Sequence, residues 1–130
     1  HIARAVADSP ADYDYQDAFD HLIGDDCPCY VARDIPTFER GREVLAAACG
    51  VVGLAHPLRY EDPEAALDLT ADLDAVERHY PYAHDADPTP VERAMEAHDL
   101  LVTGGSDAHD EVLGRAGLDR PATERLLAAL

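Results

Sequence analysis

Residues 51–57 read Val-Val-Gly-Leu-Ala-His-Pro, and residues 100–109 read Leu-Leu-Val-Thr-Gly-Gly-Ser-Asp-Ala-His. Each opens with an unbroken apolar run of the kind that forms a strand buried on both faces of a parallel sheet. Each then breaks abruptly, the first at a proline that turns the chain away, the second at two glycines. Between them the pattern predicts a helix over residues 63–71, a strand over 75–79, and a loop rich in Pro and Asp that carries His84. A second helix over 90–98 follows, capped by Thr89. Helix and strand alternate, which argues an α/β class with a parallel sheet, open or closed into a barrel. In such folds the chemistry collects at the carboxyl ends of the strands.

Working outward, residues 1–49 differ in character. A short Ala-rich helix is expected over 2–7, closed by Ser9-Pro10. Residues 15–23 place Phe19, Leu22 and Ile23 at helical spacing before Gly24, a stop signal. An extended piece over 29–33 leads through Pro36 to Thr37, a good N-cap for a helix running to about Cys49, with Val44, Leu45 and Ala48 inward. The chain therefore divides into a mostly helical part, 1–49, and an α/β part, 50–130.

Composition narrows the partners. The 27 Asp and Glu outnumber 10 basic residues, all of them Arg, for a net charge of −17. A surface this acidic repels phosphate backbones, which argues against stable binding of duplex nucleic acid. A phosphate-bearing ligand would need local cations, either Arg or metal ions. The same composition suits a salt-adapted protein, since at about 1 M salt the Debye length is roughly 3 Å and self-repulsion is screened; an acidic product of a high-GC genome is the plainer alternative. No apolar run approaches the roughly 18 residues of a membrane span. No signal segment precedes the first helix, so a cytoplasmic protein is expected. Cys27, Cys29 and Cys49 form no disulfide framework. The Cys27-Pro28-Cys29 pair could take a soft metal, but small buried thiols are the expectation.

Two strand ends carry side chains suited to chemistry. His56 follows the first apolar run directly. Asp107 and His109 follow the second, and alternate residues of an extended segment point the same way, so both could approach one ion. Two imidazoles and a carboxylate suit Zn, Mn or Fe. Ser106 is read as a turn former, and His21, His79 and His98 as surface or packing residues.

The segments VVGLAHPLRY at 51–60 and LLVTGGSDAH at 100–109 resemble the PHP family, named for polymerase and histidinol phosphatase, and most of all its nucleotide phosphatase and exoribonuclease branch. HIARAV at 1–6, AFDHLI at 18–23, the CYVAR segment and LDAVERHYPYAH at 73–84 extend the resemblance over about residues 1–115. It implies the carboxy-terminal part of a distorted (β/α)7 barrel with a mostly helical insertion over 1–49. It further implies a divalent-metal phosphoesterase, a phosphoric ester hydrolase in which metal-activated water attacks a nucleotide or short oligonucleotide. By position, His56, Asp107 and His109 correspond to metal ligands, and His1, Arg59 and His84 to residues near the substrate phosphate.

The family's amino-terminal His-x-His and its further His, Asp and Glu ligands have no counterpart here. The resemblance thus implies a carboxy-terminal portion of a longer protein, with the remaining ligands elsewhere. The alternatives are a non-catalytic truncated module that binds one metal or a partner, and assembly with a separately encoded amino-terminal half.

Overall fold

Short helices open the chain because their caps and apolar spacing are local signals. The computed structural model describes every residue except His1, Ala83, His84 and Asp110, so the expectations for His1 and His84 lie outside the described residues. Two compact units are present, His1–Pro36 and Thr37–Leu130.

In the first unit, α1 spans Ile2–Ala7 and α2 spans Tyr15–Ala18. Asp14 caps α2 by accepting from the Asp17 amide at 2.8 Å, while the Asp17 carboxylate accepts from the Asp14 amide at 3.0 Å. This reciprocal pair satisfies two amides that a helix start would otherwise leave free. The helix relaxes into a single π-type turn over Phe19–Ile23 and ends at Gly24. Residues 29–33 form no strand. The cysteines are not buried thiols: Cys29 and Cys49 are exposed and Cys27 is half-buried. The Cys27 Sγ lies 3.4 Å from the Asp20 carbonyl, because the turn that places it runs along the surface.

The second unit starts with α3, Phe38–Ala48, capped by Thr37, whose hydroxyl accepts from the Arg40 amide. Arg42 donates to the Asp72 carbonyl, which ties α3 to this unit. The inward face expected for α3 is not buried. Val44 and Leu45 are each 50% exposed and Ala48 is exposed, because no described element covers that stripe.

The strands are β1, Gly53–Leu54; β2, Ala75–His79; and β3, Leu101–Gly104. They form one parallel sheet in the order β1-β2-β3, giving the mixed α/β class with each crossover passing through a helix. α4, Pro63–Asp68, continues into a 3-10 turn over Leu69–Asp72 and returns the chain from β1 to β2. α5, Thr89–His98, returns it from β2 to β3. Thr89 is the first residue of α5 rather than its cap. Its amide and hydroxyl both donate to Asp87, at 3.0 and 2.6 Å, so the carboxylate two residues earlier takes the capping role. The last helix, α6, spans Arg120–Ala129 under an Asp119 cap.

Asp74 fastens the entry of all three strands. Its carboxylate accepts from the Val52 amide at 2.9 Å, its amide donates to the Val52 carbonyl, and its own carbonyl accepts from Leu101. The core lies on one side of this sheet: Leu54, Ala66, Leu67, Val76, Val91 and Leu100. The first apolar run is therefore not covered on both faces. Val52 and Leu54 are buried while Gly53 and Ala55 are exposed, since β1 is an edge strand with one packed face.

Gly104 is needed where β3 ends. A Cβ there would meet the His79 Cβ at 2.8 Å, the His79 carbonyl at 3.0 Å and the Gly117 backbone at 3.3 Å. Two of these neighbours are backbone and cannot swing aside. Gly104→Ala is expected to cost about 1–3 kcal/mol through this overpacking, read as a lowered urea midpoint with an unchanged m-value. No loss of stability would mean the β2–β3 end is looser than described.

Among the described residues no helix is long and apolar enough to cross a membrane.

Candidate active site at the strand ends

Because the sheet order follows the chain order, the carboxyl ends of β1, β2 and β3 lie side by side. They deliver Arg59, Tyr80 and Asp107 to one cleft of about 440 Å³, with the His56 ring packed against Tyr80 beside it. Its rim includes Arg59, Tyr80, Asp107, His109 and Arg115.

His56 leaves β1 in the left-handed conformation, φ 33° and ψ 57°. A residue before proline is ordinarily held in the extended region, so this conformation is strained. Its amide is anchored by the Glu77 carboxylate at 2.7 Å. Its ring stands edge-on to Tyr80 with centroids 5.5 Å apart, and 6.0 Å from Tyr60. The buried Nδ1 has no hydrogen-bond partner among the described residues. An unpartnered buried imidazole nitrogen is costly, and a ligand is one way to satisfy it.

Asp107 is also left-handed, at φ 46°, which overturns the expected extended alternation with His109. Its carboxylate accepts from the Tyr80 hydroxyl at 2.8 Å and from Arg59 Nη1 at 3.2 Å, and the same Nη1 donates to the Tyr80 oxygen at 2.9 Å. The Tyr80 hydrogen bond holds the Asp107 carboxyl below its ordinary range against an opposing desolvation, with His109, His56 and Arg59 adding favourable charge. Desolvation, then the Asp107 contact, pushes the Tyr80 phenol above its ordinary value. Asp107 is thus an anion and Tyr80 a protonated donor.

His109 turns its Nδ1 onto the Asp107 backbone carbonyl at 2.7 Å. A carbonyl only accepts, so Nδ1 is the donor and Nε2 is the nitrogen left to face a ligand. Metal-bound histidines are commonly oriented in this way. The donor types at His56, Asp107 and His109 therefore fit a divalent ion individually. They do not close on one: among the described residues no group of three or more His, Cys, Asp or Glu is assembled to hold a metal.

His21, His79 and His98 are exposed, as expected. Ser106 serves its turn by accepting from the Arg115 amide at 2.9 Å. Sequence reasoning missed Tyr80 and Arg115, which line the cleft, and Glu77, which anchors the His56 amide. Glu77 could have been flagged as a carboxylate that directly follows the apolar start of β2, Ala75 and Val76. Tyr80 and Arg115 had no signal, because their relevance comes from strand order and from a loop folding back. Comparison of the sequence with models of known protein families, and with curated proteins, gives no match.

Proposed function

We propose that this chain is the carboxy-terminal part of a PHP-type barrel and supplies one side of a metal-dependent phosphoesterase site acting on a nucleotide or short oligonucleotide. The observation that carries this reading is the convergence of three parallel strand ends on one cleft, with non-glycine left-handed backbone at both His56 and Asp107. Strained residues gather where function over-determines them.

In this reading His56, Asp107 and His109 are donors to divalent metal, Mn, Zn or Fe, which when bound supplies Lewis acidity and an activated water. The chain's own residues prepare the rest. Tyr80 and Arg59 fix the Asp107 carboxylate in place and keep it ionised. Glu77 holds the His56 turn, and the His109 contact to the Asp107 carbonyl fixes its tautomer. Arg59 commits one nitrogen to Asp107 and retains other N–H donors for a phosphate oxygen. His1 and His84 are carried as further phosphate neighbours by resemblance alone. Ligands beyond these three would come from elsewhere in the assembled enzyme.

The second reading is a non-catalytic module that binds one metal or a partner, favoured by the failure of the described donors to close a centre. The test is phosphate release from nucleoside phosphates with Mn²⁺, using the longest form of the protein that can be purified. Activity lost on chelation and in a His56→Ala, Asp107→Ala double variant is expected. Equal activity in the double variant, or none in any form, would sink the catalytic reading.

A further inference from the structure

We infer that Arg115 is an oxyanion-binding residue of the cleft and that a phosphate group sits between its guanidinium and that of Arg59; as a statement about a phosphoester ligand this rests on the functional reading above.

Every other arginine of Thr37–Leu130 already has a side-chain partner. Arg40, Arg59, Arg78, Arg93, Arg120 and Arg125 each donate to a carboxylate, and Arg42 donates to a backbone carbonyl. The Arg115 guanidinium has none among the described residues; only its backbone amide is bonded, to Ser106. In a chain with 27 carboxylates, an arginine paired with none of the described ones stands out.

Its position is built. Gly114 takes φ 75°, a left-handed step that glycine makes without strain. The Ser106 hydroxyl then pins Arg115 beside the end of β3, and the chain passes over Gly104 at Gly117. Arg115 thereby lines the same cleft as Arg59, Tyr80, Asp107 and His109. Asp107 does not neutralise it, since the recorded bonds of that carboxylate go to Tyr80 and Arg59. A guanidinium with no side-chain partner among the described residues can offer the bidentate geometry that phosphate takes. It would also supply the local positive charge that an acidic surface otherwise withholds from an anionic ligand.

Titrating inorganic phosphate into the ¹⁵N-labelled chain at constant salt tests this. Phosphate should shift the amides of Tyr80, Asp107 and Arg115. Arg115→Gln should weaken binding about tenfold or more, the scale of a lost charge-assisted contact. Arg115→Lys should fall between the two, and Arg93→Gln, whose partner Glu64 lies outside the cleft, should bind as the parent does. Thermal melts of each variant confirm that the fold persists. Unchanged affinity in Arg115→Gln, or no phosphate binding by the parent, overturns the inference. Phosphate binding that depends on Arg115 without any ester hydrolysis would uphold it while removing the catalytic reading. Hydrolysis that Arg115→Gln leaves intact would do the reverse.

Discussion

Asp107→Ala is expected to reduce phosphate release by about 100-fold or more, at or beyond the upper end of what is lost when residues supporting a metal ligand are removed. The melting temperature should change little, because the residue sits on the cleft rim rather than in the core. Two side chains share this carboxylate. Arg59 and Tyr80 both donate to the same oxygen, so its removal releases the arginine and leaves the phenol without its acceptor. The negative charge proposed to attract a divalent ion disappears with it. Alanine also fits poorly at φ 46°, so Asp107→Asn is the cleaner companion: asparagine tolerates left-handed backbone, keeps the shape and loses the charge. Both variants should lose activity, and only the alanine should disturb the amides of Ser106 and Ala108. Activity retained in Asp107→Asn would show that the charge is not used.

The second large effect is structural. Leu67→Ala is expected to destabilise the second unit by about 2–5 kcal/mol, from lost transfer energy plus the cavity left behind. Leu67 is 3% exposed and belongs to the cluster with Val76, Val91 and Leu100. For a unit of this size the melting temperature should fall on the order of 10 °C or more. Val44→Ala on α3 is the control. At 50% exposure it should move stability by no more than about 0.5 kcal/mol. Comparable losses at the two positions would mean that α3 is packed after all.

The contrast between Leu67 and Val44 also shows what the sequence makes legible. β2 was readable to the residue, because its apolar residues are buried and it has a neighbouring strand on each edge, and β3, which pairs only with β2, was readable within one, because two glycines end its apolar run. The run at residues 51–55 looks the same in one dimension, yet only two residues pair and only one face is packed, because β1 lies at the edge. Helical spacing placed Val44 and Leu45 on one stripe but could not say whether anything covers it. α6 went unread although Asp119 and Pro121 form a recognisable start.

The cleft divides the same way. His56, Asp107 and His109 stood out because they lie just past apolar runs, and Arg59 through the family resemblance alone. Their arrangement did not, since a left-handed Asp107 cancels the alternation that an extended segment would impose. Tyr80 and Arg115 line the cleft through strand order and a returning loop, and neither is written in local spacing.

The divalent-ion and phosphate site proposed at the ends of β1, β2 and β3 can be located directly from Mn²⁺-induced broadening of amide resonances. At about 1 M salt, diffuse attraction to the acidic surface is screened to within roughly 3 Å. The first signals lost should be those of His56, Asp107 and His109, and Asp107→Asn with His56→Ala should abolish the effect. Broadening that instead follows the acidic surface elsewhere, and survives the double variant, would contradict it.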